Sequence, residues 1–185
     1  MNLKDHFLIA MPSLGDPLFA QSVVYICEHN NEGAMGIIIN KPIDDLNVET
    51  VLNRLDIIPA TQCAELEQPV FNGGPIAEEQ GFILHTPQSN FSSSIRISDD
   101  VMVTTSLDLL RSIGTSNQPQ NIFLSLGYSG WQEQQLEKEI VENDWLVIKA
   151  DPSIIFDVAI EQRWQKAAEK LGINIATISS QMGKA

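Results

Sequence analysis

The sequence predicts an α+β fold with a mixed β-sheet. Runs rich in Val, Ile and Phe, bounded by Gly, Pro, Asn or Ser, outnumber the segments with helical periodicity. Their order fits neither a strand meander nor regular strand–helix alternation, because short strands follow a first hairpin and a helix, and further helices and strands come later. A chain of 185 residues with 43% hydrophobic residues is long enough to bury a sizeable core. No repeat or long linker divides residues 1–185, so a single domain is expected.

The elements follow from local patterns. Two β-rich runs within Ser22–Pro42, joined by a polar loop that contains Gly, predict a hairpin. The predicted strands are Phe7–Ala10, Ser22–Glu28, Ala34–Asn40, Val70–Asn72, Phe82–His85, Ser94–Ile97, Val101–Thr104, Asn121–Leu126 and Trp145–Lys149. The predicted helices are Val48–Leu55, Leu107–Ile113, Trp131–Asn143 and Ala159–Leu171.

The chain is strongly acidic, with 24 Asp and Glu residues, 11 Lys and Arg residues and a net charge of −13 at pH 7. Nucleic-acid binding depends on basic side chains that neutralise phosphates. The densest basic group, Arg163, Lys166 and Lys170, is opposed by Glu161 and Glu169 at helical spacing and is interpreted as a solvated helix face. Direct binding of DNA or RNA is therefore not expected.

The sequence predicts a cytosolic protein without membrane attachment. Its N-terminal apolar run has five residues before Pro12, which is shorter than the core of a signal peptide. No run reaches the roughly 18 apolar residues of a membrane span. Cys27 and Cys63 are too few for a disulfide framework and fit free thiols in a reducing compartment.

The segment Gly127-Tyr-Ser-Gly-Trp131 lies between a predicted strand and a predicted helix, where a nucleophile elbow places its serine. The G-x-S-x-G pattern is incomplete at Trp131, and all three histidines precede Ser129, against the order of that hydrolase fold. The favoured interpretation is a capping box, in which Ser129 and Gln132 satisfy free backbone N–H groups at the helix start. Binding of a small anion at the same turn is an alternative.

The segment Thr104-Thr-Ser-Leu-Asp108 repeats this pattern after a predicted strand. Thr105 and Asp108 have the spacing of a second capping box, which is the favoured interpretation. Two helix starts that follow strands can converge at one end of a sheet. A polar pocket that includes Thr104, Thr105 and Ser106 is therefore an alternative.

Cys27 and His29 are two residues apart in a predicted strand, so their side chains should lie on one face and Glu28 on the other. A neighbouring imidazole can lower the pKa of a thiol and make it nucleophilic or redox-sensitive. A Cys among apolar neighbours is more often an inert core residue, and this interpretation of Cys27 is favoured.

The sequence predicts no metal site and no cofactor. The candidate ligands lack both the C-x-x-C and the helical H-x-x-x-H spacing of metal sites; they are Cys27, His29, Cys63 and His85. The segment Asn72–Pro75 lacks the spacing of a phosphate-binding loop. Gly73 and Gly74 are interpreted as part of a tight turn with positive φ.

Several of these segments form a pattern together with others. The pattern consists of Ser22–Pro42, Gly73–Pro75 with Gly81–His85, Thr104–Asp108, Leu126–Trp131, and Gln135–Ile140 with Asn143 and Trp145-Leu146. This combination resembles the AlgH/YqgE family of bacterial proteins over nearly the whole chain, as do Arg163-Trp164 and Leu171–Ile173. Two positions depart from the family pattern. Gln134 stands where a Gly usually precedes Gln-Leu-Glu, and Lys184 stands where a His usually lies.

The resemblance implies a single α+β domain whose mixed sheet curls into a partly closed barrel flanked by helices. It also implies regulation, since the family name comes from a proposed role in regulating alginate synthesis in some bacteria. It carries over no reaction, cofactor or catalytic residue. For so acidic a chain, regulation is expected to be indirect, without DNA contact.

The favoured hypothesis is a non-enzymatic cytosolic protein that binds a protein partner or a small ligand through polar loops at strand ends. Tyr128 and Trp131 would be natural contact residues for a partner if they are exposed. The candidate site residues are Cys27, His29, Gly73, Gly74, His85, Thr104, Thr105, Ser106, Gly127, Tyr128, Ser129 and Trp131. A thiol-based redox switch or enzyme centred on Cys27 is the first alternative, and a hydrolase that uses Ser129 is the second. The sequence leaves the identity of the partner or ligand and the oligomeric state open.

Overall fold

The computed structural model describes residues 1–174 and contains, within them, ten β-strands and five α-helices. The strands are β1 (His6–Ala10), β2 (Val23–Asn30), β3 (Gly33–Ile38), β4 (Pro42–Asn47), β5 (Pro69–Asn72), β6 (Ile76–His85), β7 (Ser94–Arg96), β8 (Met102–Thr104), β9 (Ile122–Gln132) and β10 (Trp145–Lys149). The helices are α1 (Val48–Arg54), α2 (Leu107–Ser112), α3 (Gln135–Val141), α4 (Pro152–Phe156) and α5 (Arg163–Glu169), with short 3-10 helices at Ala64–Glu67 and Ile160–Gln162. The chain divides into two compact units, which are Met1–Lys41 with the described residues from Ser129 onward, and Pro42–Tyr128.

The first unit is built on antiparallel strands in the order β10-β1-β2-β3-β9, to which β9 contributes its C-terminal residues. The predicted hairpin is present as β2 and β3, with an irregularity in the ladder between Ile26 and Glu28. Its core cluster combines strand residues with residues of α3 and the N-terminal segment: Leu3, Leu8, Ala10, Val24, Ile26, Ile38, Trp131, Leu136 and Trp145. Apolar side chains from distant segments therefore hold this unit together.

The second unit has the strand order β4-β5-β9-β6-β8-β7, in which β5 and β9 are parallel and the other pairs are antiparallel. Helices α1 and α2 supply four of the eleven residues of its core, which consists of Val48, Leu52, Ile57, Leu66, Val70, Ile83, Leu109, Leu110, Ile113, Ile122 and Leu124. The predicted α+β class, with a mixed sheet and flanking helices, is confirmed.

The sequence analysis does not predict β4 and α4. Strand β4 contains Pro42 and Asp45, residue types that are depleted in strands, and its ladder pairs only Pro42 and Asn47 with β5. Helix α4 has five residues, which is too short for helical periodicity to be recognised. Its start is capped by Asp151, whose side chain accepts the N–H of Ser153 at 3.0 Å.

Strand β9 continues to Gln132, whereas the sequence predicts its end at Leu126 and a helix start at Trp131. This prediction is wrong because the residues from Ser129 to Gln132 pair with β3. Pairing with a distant strand stabilises an extended backbone in a segment whose local composition indicates a turn. Helix α3 begins only at Gln135.

Gly127 lies inside β9 with φ of +74°. A Cβ there would lie 2.4 Å from the Gly74 carbonyl oxygen, and a Cβ at Gly73 would lie 2.3 Å from the Gly127 carbonyl oxygen. The Gly73 N–H also donates to the Leu126 carbonyl at 2.8 Å. Gly74 has φ of +150°, in line with the turn predicted for Asn72–Pro75. The three glycines therefore allow two backbones to approach closely.

We expect Gly127→Ala to lower the free energy of unfolding by about 3 kcal/mol. The alanine would have to adopt a left-handed backbone conformation, and its Cβ would clash with the Gly74 carbonyl oxygen. Gly15→Ala is the matched control, since a Cβ at Gly15 meets nothing within 4 Å. The control should change the free energy of unfolding by less than about 0.5 kcal/mol. Urea denaturation followed by circular dichroism measures both variants. Equal losses would show that this close approach does not constrain the fold.

Candidate functional site

His29, near the end of β2, is held by hydrogen bonds to two other parts of the first unit. Its Nδ1 accepts the backbone N–H of Leu3 at 2.9 Å, and its Nε2 lies 2.8 Å from Oε1 of Glu137 on α3. Because the Leu3 amide can only donate, the neutral ring carries its proton on Nε2 and donates it to Glu137. The side chain of His29 is 2% exposed and that of Glu137 is 40% exposed. A buried imidazole is thus joined to a carboxylate that solvent can reach.

A polar cleft of about 580 Å³ opens beside this pair. Its lining consists of Met1, Asn2, His29, Asn30, Asn31, Glu133, Gln134 and Glu137. Two of these described lining residues are carboxylates and none is Lys or Arg, so the Met1 α-ammonium balances their charge only in part. The backbone N–H of Glu137 itself, and then the His29 hydrogen bond, hold the pKa of the Glu137 carboxyl below its usual range. Glu137 is therefore ionised at neutral pH.

Glu139 fixes α3, the helix that carries Glu137, against the sheet of the first unit. Its Oε2 accepts the indole N–H groups of Trp131 at 2.8 Å and Trp145 at 2.9 Å. Its Oε1 accepts from the side-chain amide of Gln135 at 2.9 Å. The indole rings meet edge to face with centroids 6.0 Å apart, an arrangement that aromatic pairs favour. One carboxylate therefore satisfies two indole donors and sets the position of the helix.

The roles predicted for Trp131 and Ser129 need correction. Trp131 is 6% exposed, so it packs inside the first unit and is not available as a contact residue for a partner. Tyr128 is half-buried. The capping box predicted for Ser129 and Gln132 is wrong, because both residues lie in β9. Instead, the Gln132 N–H donates to the side-chain oxygen of Gln135 at 3.0 Å.

Ser129 also lacks the surroundings of a nucleophile. It is fully buried and pairs with Gly36 in the ladder between β3 and β9. A nucleophile elbow presents its serine on a sharp, exposed turn between a strand and a helix. The geometry at Ser129 does not match that arrangement.

Cys27 is 3% exposed, and its Sγ lies 3.7 Å from the Tyr25 carbonyl oxygen. Burial raises the pKa of the Cys27 thiol far above its ordinary value. His29 is buried and Glu28 is exposed, as the strand alternation predicts, but both nitrogens of His29 are engaged elsewhere. The imidazole therefore does not activate the thiol, and the interpretation of Cys27 as a core residue is supported.

In the second unit, the structure brings His85 and Thr104 together. His85 Nε2 lies 2.7 Å from Thr104 Oγ1, and this hydroxyl lies 2.6 Å from Ser94 Oγ, a residue that sequence reasoning missed. His85 Nδ1 lies 2.8 Å from the carbonyl oxygen of Thr86, so the neutral ring donates from Nδ1 and accepts from Thr104 at Nε2. His85 and Thr104 are fully buried. The hydrogen-bond chain therefore satisfies polar groups inside the unit.

The capping box predicted for Thr105 and Asp108 is also wrong. The N-cap residue of α2 is Ser106, and the Thr105 N–H donates to the Ser93 carbonyl at 3.2 Å. The Asp108 carboxylate accepts the N–H of Ser92 at 2.7 Å and the hydroxyl of Ser106. Asp108 thus ties the loop before β7 to α2. Because Ser129 lies in a strand, no helix begins there. A pocket formed by two helix starts, one at Ser129 and one after Thr104, is therefore not present.

Arg163 departs from the predicted solvated helix face. It is 6% exposed and donates to the carbonyl oxygens of Val158 and Ile39. Burial lowers the pKa of its guanidinium to about 10, so the group stays charged at neutral pH. Lys166 and Lys170 are exposed and pair with carboxylates, as expected for such a face.

The described residues were compared with the requirements of a metal site and of a membrane-spanning helix. Within residues 1–174, no group of three or more His, Cys, Asp or Glu side chains is arranged to hold a metal ion. Among the same residues, no helix combines the length and the apolar character that crossing a membrane requires. Cys27 and Cys63 are both free thiols.

Comparison with known proteins gives the family of the chain. A family model described as AlgH-like matches residues 7–176. The chain belongs to the AlgH-like family. It is 59% identical to UPF0301 protein PMI0339 of Proteus mirabilis and 58% identical to UPF0301 protein plu1183 of Photorhabdus laumondii, each over 187 residues that cover 100% of both chains. The resemblance seen in the sequence is therefore confirmed.

Two solved structures are similar to this AlgH-like chain. The solution structure of the AlgH protein from Pseudomonas aeruginosa has a TM-score of 0.80 and 42% identity, covering 100% of this chain and 97% of that one. Protein DIP2367 from Corynebacterium diphtheriae, a crystal structure, has a TM-score of 0.72 and 21% identity, covering 91% of this chain and 86% of that one. The second comparison shows the fold alone. The fold that the family resemblance implies is confirmed.

Gln134, where the family resemblance implies a Gly, precedes α3 and lines the cleft. Its backbone is left-handed, with φ of 60°. This conformation costs a residue with a side chain about 1–2 kcal/mol, which explains why Gly suits the position. The other departure, Lys184, lies outside the described residues.

Glu133 and Glu137 are the residues of the cleft that motif analysis misses. Glu137 lies within Gln135–Ile140, a segment of the family pattern, but it is 108 positions away from His29. No local spacing links residues so distant, because tertiary packing of α3 brings them together. Covariation between the two positions is the signal that could reveal the pair.

We expect the free energy of unfolding to fall as the pH drops below about 6.5, because burial holds the pKa of His85 below its ordinary value of 6.5. In that range the unfolded chain binds a proton that the folded chain excludes, whereas above it both states are neutral at His85. Urea denaturation at several pH values between about 8 and 5 measures the slope. The His85→Gln variant should lose less stability on acidification than the native protein. Equal slopes would show that another group is responsible.

Proposed function

We propose that this AlgH-like protein is a non-enzymatic cytosolic binding protein that regulates indirectly through a partner, and that the cleft beside His29 and Glu137 is its recognition site. One observation supports this most. An ionisable pair lies at the wall of an open cleft, with the imidazole 2% and the carboxylate 40% exposed. Burying the polar imidazole of His29 costs free energy that an apolar side chain at this position would not. Ionisable groups with perturbed pKa values in clefts are candidates for functional sites.

The charge of the cleft favours a cationic group as its occupant. Glu133 and Glu137 line it, and the whole chain has a net charge of −13. An ammonium or guanidinium group would form charge-assisted hydrogen bonds with the Glu137 carboxylate. The side-chain oxygens of Asn31 and Gln134 would supply further acceptors. The occupant would therefore be a Lys or Arg side chain of a protein partner, or a small organic cation with the same chemistry.

Two observations favour binding over the catalytic alternatives. The Cys27 thiol is buried and its pKa is raised, which keeps it protonated and unreactive at neutral pH. Ser129 is buried inside β9. Neither side chain is presented to a substrate in this structure. Because Trp131 is also buried, it cannot contact a partner, and recognition is assigned to His29 and Glu137 instead.

An NMR titration of the 15N-labelled protein with N-acetyl-arginine amide tests the proposal. We expect saturable shifts at the backbone amides of Asn31, Glu133, Gln134 and Glu137, and weaker binding as salt is added. N-acetyl-citrulline amide has nearly the same shape without the charge and should cause no such shifts. Combining Glu133→Gln with Glu137→Gln should weaken binding about tenfold or more, the loss expected for charge-assisted hydrogen bonds.

The matched control combines Glu78→Gln with Glu79→Gln, which removes the same two charges from exposed residues of β6. This variant should bind N-acetyl-arginine amide like the native protein. Equal weakening in both double variants would indicate attraction to net charge alone and would contradict the proposed site. Saturation without shifts at the cleft amides would contradict it as well.

A further inference from the structure

His29 joins three segments of the first unit that are distant in sequence. The imidazole belongs to β2, the amide of Leu3 to the segment before β1, and the carboxylate of Glu137 to α3. The ring is almost inaccessible to solvent, with 2% of the side chain exposed. Each ring nitrogen is therefore committed to its protein partner.

We infer that His29 is a pH-sensitive latch, in which protonation of the imidazole releases Met1–Leu3 from the wall of the cleft. In the neutral ring, the lone pair of Nδ1 accepts the Leu3 N–H at 2.9 Å. A further proton can bind only at Nδ1, because Nε2 already carries one. The protonated Nδ1 is a donor that faces another donor, so the bond to Leu3 is lost. The contact with Glu137 meanwhile becomes an ion pair.

The charged groups beside the imidazole line the same cleft as His29. They are Glu137 on α3, Glu133 just before that helix, and the Met1 α-ammonium, whereas Glu28 is exposed on the opposite face of β2. Glu137 is in direct contact with the ring through the hydrogen bond at Nε2. Protonation thus exchanges a neutral hydrogen bond at Leu3 for a stronger interaction at Glu137.

The release ends at Leu3 because Asp5 is held independently. The Asp5 N–H donates to the Ile26 carbonyl at 2.9 Å, and its carboxylate accepts the Tyr25 hydroxyl at 2.8 Å and pairs with Lys149 at 2.8 Å. The Leu3 side chain is 4% exposed and packs in the core of the first unit, which favours return of the segment. The latch therefore opens locally, and the sheet stays folded.

The effect of the latch on binding rests on the proposed function and extends it to regulation. Met1 and Asn2 line the cleft, so their release changes its wall. Protonated His29 also adds a positive charge beside Glu137, which opposes a cationic occupant. Acidification should therefore weaken binding of N-acetyl-arginine amide, and bound probe should in turn favour neutral His29.

Amide hydrogen exchange of Leu3 tests the latch without any ligand. It is measured by NMR at pH 8 and at pH 5.5, and expressed as a protection factor to remove the intrinsic dependence on pH. We expect protection to fall about tenfold on acidification, as the loss of one hydrogen bond predicts. The midpoint of this fall should coincide with the titration of the His29 imidazole in the same sample.

Two variants sharpen the test. His29→Asn places an amide oxygen close to the position of Nδ1 and does not titrate, so Leu3 should stay protected at both pH values. His6→Asn is the matched control, because the His6 ring contacts the Lys4 carbonyl at 2.9 Å in the same segment. This control should lose Leu3 protection as the native protein does.

Constant protection of Leu3 while His29 titrates would overturn the latch, and so would an equal fall in His29→Asn. The comparison of midpoints in the native protein decides the question even if His29→Asn fails to fold. If Leu3 is released but N-acetyl-arginine amide does not bind, the latch stands and the proposed function fails. If the probe binds equally well at both pH values, the link between latch and cleft is overturned.

Discussion

Strand β9 passes a point, at Gly127, where only glycine fits, and its residues beyond this point pair with β3 and bring Trp131 into the first unit. Before Gly127 the strand pairs with β5 and β6, and from Ser129 onward it pairs with β3. At Gly127 the positive φ and the nearby Gly74 carbonyl leave no room for a Cβ. The extended course after this point is what places Trp131 opposite Ala34 on β3.

The position of Trp131 matters because Glu139 binds its indole N–H together with that of Trp145. This shared carboxylate fixes α3, and α3 carries Glu137 to His29. The proposed recognition site therefore depends on strand register and on aromatic packing rather than on a local motif. In this arrangement the imidazole of His29 is buried, whereas the carboxylate of Glu137 stays accessible to solvent.

The sequence predicts the parts of the fold that local pattern determines. Runs such as Val23–Ile26 are apolar and β-branched, and they form strands wherever they are buried. The prediction fails at Gly127–Gln132, where glycines and Ser129 indicate a turn but pairing with β3 dominates. The capping box at Ser129 fails because that residue lies in β9, whereas after Thr105 a helix does begin but its N-cap is the next residue, Ser106. Tertiary contacts decide these cases.

The candidate site was only half predictable. His29 stands out because histidines are few and this one lies beside Cys27, yet the thiol that draws attention to it is buried and inert. Its true partners, Leu3 and Glu137, are 26 and 108 residues away. The left-handed backbone of Gln134 could be anticipated only from the Gly that the family resemblance implies at this position.

Isotope-filtered NOE spectroscopy with 13C-labelled protein and N-acetyl-arginine amide tests most directly whether a cation occupies the cleft. We predict NOEs from the δ-methylene protons of the probe to the side chains of Glu137, Gln134 and Asn31. NOEs confined to other surfaces, such as the exposed segment Ile76–Gln80 of β6, would contradict the assignment of the cleft as the recognition site. A saturated complex without any NOE to Glu137 would contradict it equally.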